Sequence, residues 1–255
     1  MDIMSTMNSN LKDIHSHILS GIDDGSESAT ESIKILKLAI QEGVSDIILT
    51  PHYIYGSNYA CNNKDKRIRF EVLQELVETR NLPIRLYLGN EILLCEHILE
   101  LLENGECMTL NHSRYVLVEL PMNNELLNAK KIFFELVSHE YIPILAHPER
   151  YHYISEESTF FDDLVDMGVL LQGNYKSLLG KYSKGAERRL KKLLQKNMIT
   201  FLASDTHHAE AYDLKKAYKK TLKIVKDKER VKKLFVENFD YILYDRDVCY
   251  ECLYV

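Results

Sequence analysis

Histidines and carboxylates recur in one setting along this chain. His15 and His17 stand two residues apart, with Asp13 before them and Asp23-Asp24-Gly25 after. On an extended segment alternate side chains share a face, so both imidazoles can grip one ion. Asp205-Thr-His207 repeats that alternation far along the chain. Between the two lie His52, Glu91, Glu119 and His147, each at the end of a short apolar run. Imidazole and carboxylate ligands without cysteine suit Mn, Fe or Zn better than a structural zinc finger. A single histidine in such a place is more often a hydrogen-bonded surface residue, and Glu91 or Glu119 could pair with lysines. The repetition of the setting is what points to one shared metal site. Arg150 follows His147 in the run His147-Pro-Glu-Arg150-Tyr. Its guanidinium could clamp two phosphate oxygens, or pair on the surface with Glu149 or Glu156.

The elements that would position these residues alternate regularly. Short apolar runs at Leu11–His17, Asp46–Thr50, Ile84–Leu88, Tyr115–Val118, Ile142–Ala146, Val169–Leu171 and Ile199–Leu202 read as seven strands. Amphipathic segments separate most of them. Ala29–Glu42 has apolar residues at Ile33, Leu36 and Ile40, a helical spacing, with Ser26 or Ser28 as cap and Gly43 past its end. Further helices are predicted from about 64 to 79 and from about 125 to 139. Such alternation implies right-handed crossovers and a parallel sheet, either closed as a barrel or open and doubly wound. All eight histidine and carboxylate candidates then fall at the C-terminal ends of strands, where parallel α/β folds carry their active sites.

The totals bound the rest. With 255 residues, 45% hydrophobic and 27% charged, the chain suits one globular domain over residues 11–255, behind a leader of residues 1–10. A net charge of −6 argues against a nucleic-acid backbone as partner but leaves room for a phosphorylated substrate once cations are bound. No apolar run approaches the length of a membrane span, and the start is not a secretory signal. Five irregularly spaced cysteines read as reduced thiols of a cytoplasmic protein. Cys249 and Cys252 form a C-x-x-C with no second pair, a poor zinc or redox site. The lysine-rich stretch 212–233 reads as a solvated helix face. Cys61 to Arg67 fits the C-x5-R spacing of thiol phosphatases, but the intervening residues lack a glycine that would let amides close on an anion.

Taken in order, Asp13-Ile-His15-Ser-His17, Asp23-Asp24-Gly25, Thr50-Pro-His52-Tyr, Gly89-Asn-Glu91, Glu119-Leu, Ala146-His147-Pro-Glu-Arg150-Tyr and Ser204-Asp205-Thr-His207 resemble the polymerase-and-histidinol-phosphatase (PHP) superfamily. Within it the chain looks most like the bacterial metal-dependent protein-tyrosine phosphatases of capsular and exopolysaccharide synthesis. The resemblance implies a distorted (β/α)7 barrel and three metal ions, usually manganese, with Fe or Zn as alternatives. Carried over, His15, His17 and Asp205 would hold one ion, and Glu91 would bridge to a second completed by Glu119 and His147. Asp24, His52 and His207 would hold the third. Arg150 would bind phosphate, Asp24 would join it as a catalytic residue, and Asn174 would lie near the substrate. The expected substrate is a phosphotyrosine protein, namely a tyrosine kinase controlling polysaccharide assembly. A phosphatase of a small metabolite such as histidinol phosphate and a non-catalytic kinase-binding regulator are the alternatives. One departure stands out: no arginine follows His207 where such enzymes commonly have one, and Lys215 is the nearest candidate substitute.

Overall fold

The structure, a computed structural model, describes residues 10–248. The Cys249–Cys252 motif and nearly all of the leader lie outside the described residues. Nine strands run in chain order: β1 Leu11–Asp13, β2 Val44–Leu49, β3 His52–Tyr53, β4 Arg85–Leu88, β5 Glu91–Leu93, β6 Tyr115–Glu119, β7 Ile142–Ala146, β8 Leu170–Asn174 and β9 Ile199–Ala203. They form a three-stranded sheet, β1-β2-β4, and a six-stranded sheet, β3-β5-β6-β7-β8-β9. Every pairing between named strands is parallel, as the alternation predicts.

The count of nine corrects the expected seven, and the reason is local. Two expected strands, 46–50 and 84–88, are each followed by a short extra one, β3 and β5, beyond breaks at Thr50-Pro51 and at Gly89-Asn90. Pro51 has no N–H for the ladder. Gly89 is squeezed against the residues before β6: a Cβ there would sit 2.7 Å from Leu110 Cδ2. The backbones still run side by side, with Gly89 N–H donating to Leu49 O at 2.9 Å and Glu91 N–H to Pro51 O at 3.2 Å. Asn90 ties the two breaks together through its Nδ2, which donates to Pro51 O at 2.7 Å. Beyond the last strand, Ser16 and Thr206 form a parallel bridge, and Asp205 N–H donates to His15 O at 3.0 Å.

Strand alternation sorts the side chains. Val116 and Val118 of β6 join the large apolar cluster beneath the helices, whereas Tyr115 and Leu117 join a smaller one. Glu119 continues that second series, and in β8 Gln172 and Asn174 continue the series of Leu170. The helices fall close to expectation. Ala29–Gln41 is capped by Ser28, whose side chain accepts from Glu31 N, and Gly43 follows with φ +91°. The second runs over Asn63–Thr79. The helix expected from about 125 begins only at Ala129, after a turn in which Leu126 O accepts from Ala129 N. Leu214–Val225 buries Leu214, Ala217 and Thr221 and leaves lysines outside.

Candidate metal centre

Glu91 stands at the middle of the predicted residues and is fully buried. Its Oε2 lies 3.2 Å from His15 Nε2, 3.3 Å from His17 Nε2 and 3.0 Å from His52 Nδ1. Its Oε1 lies 2.9 Å from His147 Nε2. Asp205 Oδ1 is 3.5 Å from His15 Nε2 and 3.4 Å from His17 Nε2. Glu119 Oε1 is 3.2 Å from His52 Nδ1, and Asp24 Oδ1 is 3.6 Å from Nε2 of both His52 and His207. Three ligand groups follow: His15, His17 and Asp205; His52, Glu91 and Glu119; and His17, Asp24, His52 and His207. His147 sits at their edge, against Glu91. His147 and Asp205 both have left-handed backbones, φ +34° and +50°, a strain that concentrates at functional sites.

The donor chemistry fits cations. His17 Nδ1 faces the Asp23 carboxylate at 2.6 Å, and His15 Nδ1 faces Gln172 Oε1 at 2.7 Å. Both partners accept, so each ring holds a proton on Nδ1 and turns its Nε2 toward the centre, where it can take a proton or an ion. The two Nε2 atoms nonetheless lie only 3.1 Å apart. Two nitrogens this close need a shared proton or a metal ion between them, and the site offers the same place to either. Likewise His52 Nδ1 and Glu91 Oε2 are buried 3.0 Å apart without a hydrogen bond. Two ligands about 2.1 Å from one ion and at right angles are separated by about 3 Å.

Electrostatics agrees. Burial opposes charge on His15, but the Glu91 and Asp205 carboxylates outweigh it and raise its pKa. Burial likewise opposes charge on His17, and Asp23 outweighs it, holding the ring well above the usual histidine range. His52 is pushed up to about 10 against burial, chiefly by Glu91. Burial and then His17 bring His207 down to about 4. Glu91 and Asp205 stay well below the usual carboxylate range despite burial, each chiefly through His15. The pocket attracts positive charge, and a proton and a divalent ion compete for the same lone pairs.

Arg150 forms one wall. Its Nη1 donates to Asp205 Oδ2 at 2.9 Å, and its guanidinium lies 4.8 Å from the centre of the Tyr182 ring. Asn174 Nδ2 donates to the same carboxylate oxygen at 3.0 Å and to Tyr182 Oη at 3.1 Å. The surface pairing of Arg150 with Glu149 or Glu156 is absent among the described residues. Glu149 is buried and accepts from Asn174 N and Ser177 Oγ, while Glu156 holds Arg188 and Lys192. Lys215 does not take the place of the missing arginine: its Nζ donates to Gln41 O at 2.7 Å. The Cys61–Arg67 loop is no phosphate cradle either. It turns helical at Asn63 under an Asn62 cap, and burial pushes the Cys61 thiol up. Sequence reasoning missed Tyr182 and Gln172, and it counted Asp23 only as a nearby carboxylate. Gln172 was within reach, since it shares the β8 face with Asn174. Tyr182 sits in a turn between helices, where no spacing marks it.

Comparison with known proteins bears on this geometry. Residues 11–244 match the profile of the capsular polysaccharide synthesis family CpsB/CapC. The chain is 37% identical over 195 residues to a putative tyrosine-protein phosphatase CapC of Staphylococcus aureus, covering 76% of each. It is 31% identical over 200 residues to the tyrosine-protein phosphatase YwqE of Bacillus subtilis strain 168, covering 78% of each. Among solved structures it superposes with TM-score 0.85 and 27% identity on a chain from the work on YwqE of B. subtilis and CpsB of Streptococcus pneumoniae, called unique metal-dependent tyrosine phosphatases. That match covers 93% of this chain and 96% of the other. A histidinol phosphate phosphatase from Lactococcus lactis aligns at TM-score 0.54 and 15% identity, covering 85% of this chain and 92% of the other, a likeness of fold.

Proposed function

The chain belongs to the CpsB/CapC family of capsular polysaccharide synthesis, and on that premise we propose that it is a metal-dependent phosphatase hydrolysing phosphotyrosine in proteins. The observation that carries the reading is the convergence of His15 Nε2 and His17 Nε2, 3.1 Å apart, on the same place as the Glu91 and Asp205 carboxylates. His15, His17, Asp24, His52, Glu91, Glu119, His147, Asp205 and His207 are the proposed ligands, of three ions. Manganese is the proposed metal, and Fe or Zn has the same ligand preferences. Bound ions supply Lewis acidity at the phosphoryl oxygens and a nucleophile at neutral pH.

The chain's own residues do the rest. Arg150 spends one donor on Asp205 and presents its others to the phosphate, with Asn174 fixing the carboxylate between them. Asp24, half exposed between His52 and His207, lies on the outer side of the cluster where a substrate enters. A tyrosine leaving group has a pKa of about 10 and needs little protonation. The two parallel sheets are proposed to form one distorted (β/α)7 barrel, supported by the continuous backbone contacts at the two breaks and the Ser16–Thr206 bridge. The proposed substrate is a tyrosine kinase of capsular or exopolysaccharide synthesis, met in the cytoplasm. Among the described residues no helix is long and apolar enough to cross a membrane.

The test is hydrolysis of a phosphotyrosine peptide and of histidinol phosphate by chelator-stripped protein reloaded with Mn²⁺, Fe²⁺ or Zn²⁺. Activity on the peptide that vanishes with the chelator and returns with one metal supports the reading. Preference for histidinol phosphate would place the chain among metabolite phosphatases, and turnover of neither would leave a kinase-binding regulator.

A further inference from the structure

Charge is divided unevenly along the chain. Residues 181–233 hold 17 of the 32 lysines and arginines but only 6 of the 38 acidic residues. That stretch is +11, and the remainder of the chain is −17. The helix Leu214–Val225 concentrates the excess. Lys216, Lys219 and Lys223 recur at helical spacing on its exposed side, and among the described residues none of the three has a carboxylate within ion-pair distance. Their neighbours are committed: Lys220 pairs with Glu187, and Lys215 donates to Gln41 O. The lysines line a groove of about 610 Å³ that Glu42 and Asp213 border.

We propose that this groove docks an acidic segment of the tyrosine-phosphorylated protein whose phosphate the metal centre hydrolyses. The inference rests on the phosphatase reading and extends it to substrate choice. An acidic chain is repelled by most of this molecule, so the lysine groove is the surface that can hold it, and opposite charge across it would speed encounter. The same charge could serve an anionic membrane, but the helix is built wrongly for that. Surface-bound helices insert an apolar face into lipid. Here Leu214, Ala217 and Thr221 are buried in the fold, and the exposed large hydrophobics Tyr55, Ile68, Val72, Leu127, Phe134 and Tyr244 all lie outside residues 181–233.

The experiment replaces Lys216, Lys219 and Lys223 with Gln in one variant, whose melting and metal content are checked first. Three substrates are compared: a phosphotyrosine peptide with acidic flanks, the same peptide with Gln and Asn flanks, and phenyl phosphate. The expected result is a rise of about tenfold in KM for the acidic peptide alone, equivalent to about 1.4 kcal/mol, with kcat unchanged. The wild-type preference for acidic flanks should also fade in high salt. An unchanged KM for the acidic peptide, or an equal loss on all three substrates, overturns the proposal. Binding of the acidic peptide to metal-loaded wild type and variant, read by fluorescence anisotropy, separates the two readings. Weaker binding by the variant supports docking even if neither protein turns over. Co-sedimentation with phosphatidylserine vesicles that depends on these lysines, without peptide discrimination, assigns the groove to a membrane and overturns it too.

Discussion

His15 and His17 are gripped from behind by buried groups, Gln172 and Asp23, whereas Arg150 reaches the same cluster with 26% of its side chain exposed. The imidazoles have both ring nitrogens committed: one to a protein acceptor, the other to the centre. Among the described residues Arg150 has a single ion pair, to Asp205, and a ring beneath it. A side chain with every atom assigned defines a fixed point, which suits a metal. A cation with unspent donors and access to solvent suits a group that arrives and leaves. On the proposed reading the two walls divide the work, one holding the ions and the other recognising phosphate.

The most severe break in that comparison is His15→Ala. It removes a proposed ligand and leaves Glu91 and Asp205 without their chief positive partner. Lewis-acid stabilisation is worth several kcal/mol, so turnover should fall at least about 10³-fold, together with bound metal. Metal analysis and phosphotyrosine-peptide hydrolysis on one preparation check it. Full metal content at full rate would remove His15 from the centre.

Arg150→Ala should separate the walls. A charge-assisted contact contributes about 1.5–3 kcal/mol, so kcat/KM should drop about 10- to 150-fold while metal content holds. Lys215, the candidate substitute, is turned to Gln41 and does not stand ready to compensate, so the loss should fall in the upper part of that range. Near-normal rates at full occupancy would make Arg150 a structural partner of Asp205 only.

How much of this was legible in sequence differs between the same two walls. The metal wall is carried by residue types that chemistry restricts, placed at strand ends that apolar runs disclose. His15, His52, Glu119 and Asp205 can therefore be singled out from sequence, and the fold brings all nine proposed ligands close together. The substrate wall depends on how chain segments meet. Tyr182 touches Arg150 across 32 positions of sequence through the path of a turn, and no local pattern encodes that path. The strand count differs for a similar reason: Pro51 announces its break, but the close packing that excludes a side chain at Gly89 is against Leu110, twenty-one residues away.

A third and gentler probe is pH. His17 and His52 are held above the ordinary histidine range, His52 at about 10, so protons favour both rings near neutrality. An incoming ion must displace them. Metal uptake should then release protons, and affinity should rise as pH climbs from about 6 toward His52's value and fall on acidification. Calorimetry in buffers of different ionisation enthalpy counts the protons. Uptake of protons, or an affinity indifferent to pH, would mean these rings are not the ones the ion engages.

The smallest expected effect tests whether the substrate wall is itself supported. Tyr182 lies flat enough beneath Arg150 for a cation–π contact, 4.8 Å from ring centre to guanidinium, and its hydroxyl oxygen accepts from Asn174 Nδ2. Such contacts contribute about 0.5–1 kcal/mol at partly exposed sites. Tyr182→Leu should therefore raise KM for a phosphotyrosine peptide about two- to fivefold, with metal content unchanged. Tyr182→Phe keeps the ring and loses the hydroxyl, so it should stay near wild type if the ring is what orients Arg150. The double variant Tyr182→Leu with Arg150→Ala should be no worse than Arg150→Ala alone, because a support matters only while the thing it supports is present. Additive losses in that cycle would show that Tyr182 meets the substrate directly, and the difference between the two walls would then lie in which residues touch the phosphoprotein rather than in how firmly they are held.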